Sequence, residues 1–221
     1  MSLMQRNAIF RVGHTWAQGY DLRGMQMIAR AQNVVIDLFS GSGSATRIWQ
    51  TQGYHVKRYD IVAPEKPTTW AVDLSNKEQC RMVVRTVMKA TNFENPLLVW
   101  ASPPCTEYSF ENRYYQTRPE KIDTTLWRNA KYIIDSLEPK YWVIENVAGA
   151  GRIWGEPTQK FGAYWLWGRF PKFNIPGKIP KKNVHLYSSK KERAKETAKI
   201  PYVISKGLYK AIALQKTLLP P

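Results

Sequence analysis

Val34-Val35-Ile36-Asp37-Leu38-Phe39, followed at once by Ser40-Gly41-Ser42-Gly43-Ser44, is the stretch that decides the fold. A β-branched apolar run stopped by glycines and serines reads as a buried strand feeding a tight loop. Residues 45–52, closed by Gly53, read as the helix that follows. Glycine has no Cβ, so the backbone N–H groups of such a loop approach a ligand closely. The loop lacks the Gly-Lys-Ser/Thr ending of a phosphate loop and the full spacing of a dinucleotide fingerprint.

Outward from this unit the same alternation continues. Residues 54–61 and 69–74 read as strands that end at Asp60 and Asp73, and residues 97–101 and 141–144 as strands that end before Cys105 and at Glu145-Asn146-Val147. Helical spacing fits residues 16–31, 76–90, 124–137 and the tail from 205 to 219. Strands alternating with helices indicate an α/β protein with a mostly parallel sheet. In such sheets ligands bind at the carboxyl ends of the strands. Asp37 with its glycine loop, Asp60, Asp73, Cys105 and Glu145 all fall there, so five segments converge on one edge. Asp60 and Asp73 are suited to accept hydrogen bonds from a ribose hydroxyl and an exocyclic amine, which fits an adenosine-bearing cofactor without phosphates. The competing reading is that both carboxylates only cap helices.

The chain of 221 residues suits one domain with a real core. No apolar run reaches the roughly 18 residues of a membrane span, and the first ten residues lack a signal-peptide core, so the expectation is a cytoplasmic protein with no membrane partner. Two cysteines, Cys80 and Cys105, and three scattered histidines form neither a disulfide framework nor metal-ligand spacing. The net charge is +16, and residues 169–221 hold thirteen Lys/Arg against two Glu. Charge of that density favours a polyanion, of which nucleic acid is the commonest for an intracellular protein.

Cys105 stands in Ser102-Pro103-Pro104-Cys105, directly after a buried strand. Two prolines cannot continue a sheet ladder, and they hold the next residue in an extended presentation. A thiol placed this way suits a nucleophile. Cys80, inside a predicted helix with no motif around it, suits packing. Asp37-Leu38-Phe39-Ser40-Gly41-Ser42-Gly43, Ser102-Pro103-Pro104-Cys105 and Glu145-Asn146-Val147 occur in this order, with 68 positions from Asp37 to Cys105 and 40 from Cys105 to Glu145. Together they resemble the cofactor-loop, nucleophile and acid motifs of DNA cytosine-5 methyltransferases. The resemblance covers about residues 33–150, with a weaker echo in Ile200-Pro201-Tyr202-Val203-Ile204-Ser205.

This resemblance implies a Rossmann-like, S-adenosylmethionine-dependent methyltransferase fold with helices on both faces of the sheet. It implies a catalytic core over residues 1–150, a small substrate-facing insert over 151–199 and a C-terminal helix over 200–221 that packs back. S-adenosylmethionine is the implied cofactor, held by Phe39, Ser40, Gly41 and Gly43, with Asp60 and Ile61 at the ribose and adenine, Asp73 on the adenine amine, Pro104 lining the ring, and Ser205. Cys105 is the implied attacker of cytosine carbon 6 and Glu145 the acid at ring nitrogen 3. DNA is the expected partner, with RNA and a catalytically silent nucleic-acid-binding relative as the alternatives. Arg113, Arg118 and Lys121 follow Cys105 and are candidates for lowering its pKa.

The chain departs from the family in three places, of which one is Val203-Ile204-Ser205 where relatives carry Gly-Asn before a small-residue helix. Gln159-Lys160-Phe161-Gly162-Ala163 stands where relatives carry Gln-x-Arg-x-Arg, with neither arginine in register, and Lys160 or Arg152 is the candidate substitute. The insert is short, and its Trp154, Tyr164, Trp165, Trp167, Arg169 and Lys172 read either as base-stacking and phosphate-contacting groups or, for the alternating strand 163–167, as core.

Overall fold

A computed structural model describes residues 11–12, 15–16, 33–62, 69–109, 117, 119–179, 189, 196 and 198–218. Its sheet has seven strands: β1 (Val34–Leu38), β2 (His55–Asp60), β3 (Thr69–Ala71), β4 (Leu98–Ala101), β5 (Tyr141–Asn146), β6 (Gln159–Phe161) and β7 (Tyr164–Arg169). Their order is β3-β2-β1-β4-β5-β7-β6. The first five run parallel, while β7 lies antiparallel to both β5 and β6. Arg11–Val12 and Thr15–Trp16 form a separate two-residue antiparallel pair. The helix expected over residues 16–31 otherwise lies outside the described residues.

A parallel strand covered on both faces is apolar at nearly every position, and β1 and β4 are buried throughout, with Asp37 the one polar side chain between them. Val34, Ile36 and Leu38 face one core and Val35 faces the other. Helices α1 (Arg47–Thr51), α2 (Lys77–Ala90), α3 (Thr125–Leu137), α4 (Gly151–Trp154) and α5 (Tyr202–Leu218) supply the two layers. The first core is closed by α2 and α3, the second by α1 and α5. In α2 the buried positions Cys80, Val83, Val84 and Val87 repeat at helical spacing. Asn76 caps this helix by accepting the N–H groups of Glu78 and Gln79, a contact that typically stabilises by about 1 kcal/mol. Among the described residues, no helix is long and apolar enough to cross a membrane.

The strand order reverses between β1 and β4, because the chain leaves β1 toward β2 and β3 and returns on the other side. That switch point opens a crevice at the carboxyl ends, where the loops after β1 and β4 lie side by side. The N–H of Ser102 donates to the carbonyl of Leu38 (3.2 Å) and ties the two loops at their roots.

Three expectations shift. The strand expected over 69–74 ends at Ala71, so Asp73 lies in the turn before α2. β5 runs to Asn146, which puts Glu145 inside the strand. Residues 159–169, assigned by sequence to the substrate-facing insert, are instead the last two strands of the central sheet. Tyr164 and Leu166 join one core, and Trp165 and Trp167 pack on the other. The rings of β7 are therefore core groups, and Trp154 is stacked on Trp127. Phe173 and Ile175, just beyond the hairpin, pack against Gly207 of α5.

Candidate active site at the carboxyl ends of the strands

Beyond Leu38 the chain turns sharply, with Phe39, Gly41 and Gly43 all at positive φ (57°, 49° and 70°). Phe39 takes this conformation at a cost that glycine does not incur. The loop is closed by the Gly43 N–H on the Ser40 carbonyl (2.7 Å) and held from β2 by Asp60. One Asp60 oxygen accepts the N–H of Gly41 (2.9 Å) and the other the N–H of Val62 (3.0 Å). A carboxylate has about four acceptor sites, so each oxygen retains capacity toward a ligand hydroxyl. Beside it, Ile61 and Val62 are 69% and 70% exposed and Trp70 is 48% exposed, an unusual concentration of open apolar surface.

Under the loop lies a buried polar group built on Asp37, which the sequence reading placed at the ligand edge without assigning it a role. The Asp37 carboxylate accepts a 2.5 Å hydrogen bond from Thr46 Oγ1 and has Arg58 Nε at 3.8 Å. Burial pushes its pKa from 3.8 up to about 7, outweighing the opposing effects of Thr46 and Arg58. The available signal was the lone carboxylate inside an otherwise apolar strand.

β4 delivers the other loop. Trp100 Nε1 donates to Ser102 Oγ (2.9 Å), and Pro103 is buried, with its carbonyl accepting Asn146 Nδ2 (2.9 Å). Asn146 is itself buried and accepts the Val147 N–H (2.9 Å), so the nucleophile loop is bonded to the end of the strand that carries Glu145. Cys105 is exposed, and its carbonyl accepts the N–H of Tyr108 (3.0 Å). The Tyr108 ring is buried edge-on against Trp127, which stacks flat on Trp154 with centroids 4.3 Å apart and meets Trp167 edge-on at 5.2 Å. Glu145 is half-buried on the face of β5 that also meets Tyr164. Burial first, and then the charge of Glu145, push the Tyr164 hydroxyl up to about 12.

The model of the C-5 cytosine-specific DNA methylase family matches residues 34–152, more than half of the chain and the segment that builds this edge. The chain belongs to the C-5 cytosine-specific DNA methylase family. It is similar to the type II methyltransferase M1.HphI of Haemophilus parahaemolyticus, with 23% identity over 136 residues covering 57% of this chain and 37% of that protein. It thus spans little more than a third of the length of that curated relative. Among solved structures it is similar to an NADH-dependent reductase, A1-R′, responsible for alginate metabolism. That likeness has a TM-score of 0.37 and 12% identity, and covers 58% of this chain and 56% of the other.

In this C-5 cytosine methylase chain the remaining candidate residues separate into two groups. Phe39, Ser40, Gly41, Gly43, Asp60 and Ile61 gather at the loop after β1, and Pro104 and Cys105 follow β4 next to it, with both Pro104 and Cys105 exposed. Asp73 and Ser205 are engaged elsewhere. Asp73 accepts both the N–H (2.9 Å) and the hydroxyl (2.7 Å) of Ser75 through one oxygen, which holds it below the usual carboxylate range and shapes the entry to α2. Ser205 is fully buried, with its hydroxyl on the Tyr202 carbonyl (3.1 Å). The C-terminal segment reaches the glycine loop through Ile200 N–H on Ser44 Oγ (2.9 Å).

Of the basic residues expected near Cys105, Arg113 and Arg118 lie outside the described residues, and Lys121 is exposed at the end of a 3-10 turn. Lys160 pairs with Glu156 (2.7 Å) and sits 4.2 Å over the Trp165 ring, while the Gln159 amide is bonded to the backbone of Phe173. Both serve the hairpin. Cys80 is buried against the Leu74 carbonyl, and burial, then Asp73, push its thiol up to about 11, as suits a packing residue.

Proposed function

We propose that the protein transfers a methyl group from S-adenosylmethionine to carbon 5 of cytosine in DNA, with Cys105 as nucleophile and Glu145 as acid. The observation that carries this reading is the Asn146–Pro103 hydrogen bond, which fastens the cysteine loop to the strand end bearing Glu145. The glycine loop lacks the Gly-Lys-Ser/Thr ending of a phosphate loop, which would present a cation to a bound phosphate. Here the groups beneath and beside it are Asp37 and Asp60, with Arg58 buried. Carboxylates with adjoining exposed Ile61 and Trp70 fit a ribose and an adenine instead.

Phe39, Ser40, Gly41 and Gly43 would hold the methionine portion, and Asp60 and Ile61 the adenosine. Pro104 would lie along the ring, and Asp73 would reach the adenine amine only through the carboxylate oxygen that Ser75 does not occupy, while the buried Ser205 hydroxyl is spent on the Tyr202 carbonyl. S-adenosylmethionine, when bound, supplies an electrophilic methyl group to carbon 5. Carbon 5 of cytosine is a poor nucleophile on its own, which is why the chemistry needs a thiolate and an acid. The Cys105 thiolate forms a bond to carbon 6, the electrons of the 5,6 double bond move into the ring, and Glu145 protonates or hydrogen-bonds ring nitrogen 3 to hold the charge that develops there. Once carbon 5 is methylated, a base removes its proton, the double bond re-forms and the thiolate leaves. The target carbon is inaccessible within a stacked duplex, so the base must be turned out into the site. The net charge of +16 supports a nucleic-acid partner.

The test is to incubate the protein with labelled S-adenosylmethionine and DNA, RNA or deoxycytidine monophosphate, alongside Cys105→Ser. Label at carbon 5 of DNA cytosine that disappears in the variant is the expected result. Label in RNA alone would move the substrate to RNA. Label on an amino group, or full activity in Cys105→Ser, would overturn the mechanism, and no label with any substrate would favour a silent nucleic-acid-binding relative.

A further inference from the structure

Besides the Ser40 N–H on the Tyr59 carbonyl (3.3 Å), two side chains of β2 grip the glycine loop, and only one of them lies where a ligand reaches it. Arg58 and Asp60 are two residues apart on β2 and therefore share a face of the strand. Asp60 holds Gly41 through its N–H at the mouth of the loop. Arg58 lies underneath, almost wholly buried. A Cβ added to Gly43 would stand 2.6 Å from Arg58 Nε and 3.2 Å from its Cδ and Cζ, so the guanidinium is laid directly against the glycine backbone. The same side chain donates to Gln50 Oε1 on α1 (3.0 Å) and has Nε 3.8 Å from Asp37 Oδ2 on β1. Thr46, at the N-cap of α1, spends its hydroxyl on Asp37 rather than on the helix. One side chain thus touches the strand before the loop, the loop itself and the helix after it.

We propose that Arg58 is a positioning residue whose planar guanidinium, packed under Gly43 and joined to Asp37 and Gln50, sets the shape of the glycine loop and through it the affinity for the adenosylated cofactor. The proposal rests on the cofactor reading above. Arg58 is too deeply placed to act on the ligand itself, and a buried cation that served only to neutralise Asp37 would not need to lie flat on a glycine. Lysine keeps the charge but lacks the planar fork that contacts three elements at once. Removal of the fork should free the loop even where the charge is retained.

The test compares wild type with Arg58→Lys, Arg58→Met and Gly43→Ala by calorimetric titration with S-adenosylhomocysteine and by amide hydrogen exchange without ligand. Arg58→Lys and Arg58→Met are expected to weaken binding by at least about tenfold, a loss of one decade in the binding constant. The amides of Gly41 and Gly43, both hydrogen-bonded in the loop, are expected to exchange faster by a similar factor while those of Val35 and Ile36 do not change. Gly43→Ala, whose methyl group meets the guanidinium at a φ of +70° that strains any side chain, is expected to weaken binding as well. If Arg58→Met does not fold, Arg58→Lys carries the test. Binding by Arg58→Lys within about twofold of wild type, with unchanged loop exchange, overturns the proposal. Wild type that fails to bind S-adenosylhomocysteine overturns the cofactor reading and the affinity claim with it, and is told apart because the failure precedes any substitution.

Discussion

Beneath the glycine loop, Asp37, Thr46 and Arg58 form a buried polar lattice tied at its edge to the exposed Gln50, whereas beneath the cysteine loop Tyr108, Trp127, Trp154 and Trp167 form a block of rings. Both supports lie at the same sheet edge, yet they work by different physics. The lattice is directional: each bond fixes an angle as well as a distance, which suits a loop that must present backbone N–H groups to a ligand. It also contains ionisable groups held out of water, so its worth depends on pH. The rings hold by area and shape, with burial pushing the Tyr108 hydroxyl up to about 12 and so out of the working pH range, and they leave Cys105 exposed above them. Stability should therefore be concentrated on the cysteine side and pH sensitivity on the cofactor side.

The largest effect is expected from cutting the ring block. Trp127 touches Tyr108, Trp154 and Trp167 at once, and Trp127→Ala should cost about 3–5 kcal/mol, the usual range for emptying a buried aromatic site. Urea unfolding followed by far-UV dichroism measures it. A cost below about 1 kcal/mol would mean that the rings are not what holds the cysteine loop.

The second effect separates the two supports by pH. Asp37 keeps its proton up to about pH 7 in the folded protein, against an ordinary value of 3.8 when unfolded. Between those values the folded state binds more protons, so stability from this group is full below 3.8 and falls as pH rises through about 7. The loss is on the order of 4 kcal/mol at most, about 1.4 kcal/mol for each unit between the two values, and Asp37→Asn should remove the slope. Asp73 and Asp123, whose carboxyls are held below their usual range by Ser75 and Thr125, act in the opposite sense but only at the acid end of the window. Trp127→Ala should leave the slope in place. A wild-type stability that is flat from pH 4 to 7 would show that Arg58 and Thr46 compensate Asp37 fully.

Between the two supports stands Asn146, which joins the cysteine loop to β5. Asn146→Ala removes the donor to Pro103 and leaves a buried carbonyl unpaired, which should cost about 1–3 kcal/mol. Methyl transfer should fall further than stability accounts for, as measured at a temperature where the variant is folded.

The parts of this site that sequence could reveal are those that parallel strands impose. β1 and β4 are buried on both faces, so they read as apolar runs interrupted only by Asp37, and whatever follows them is placed at the ligand edge almost by arithmetic. The hairpin β6–β7 was legible only in part, because residues 163–167 read as a strand but nothing in an antiparallel strand's sequence says that it joins the central sheet beside β5. Asp73 was ambiguous until its neighbour decided it: Ser75, two residues on, captures the carboxylate in a local turn. Arg58 was invisible for a simpler reason. A charged residue in a strand reads as solvent-facing unless its partners, Asp37 and Gln50, are known to lie beneath it.

The smallest expected effect tests whether the polar lattice is confined to one face of β2. Tyr59 lies between Arg58 and Asp60 and so points to the opposite face, where its ring meets Trp70 at 6.5 Å. Its hydroxyl is buried with no hydrogen-bond partner among the described residues, and burial pushes its pKa up to about 12. An unsatisfied buried hydroxyl is a cost to the folded state, while phenylalanine keeps the ring and its packing. Tyr59→Phe should accordingly be neutral or stabilise by up to about 1 kcal/mol, with the same urea m-value. S-adenosylhomocysteine affinity should stay unchanged, in contrast to the Arg58 variants one residue away. Destabilisation by more than about 1 kcal/mol would mean that the hydroxyl is satisfied, by ordered water for instance, and that polar bonding under the cofactor half extends through β2 to both cores.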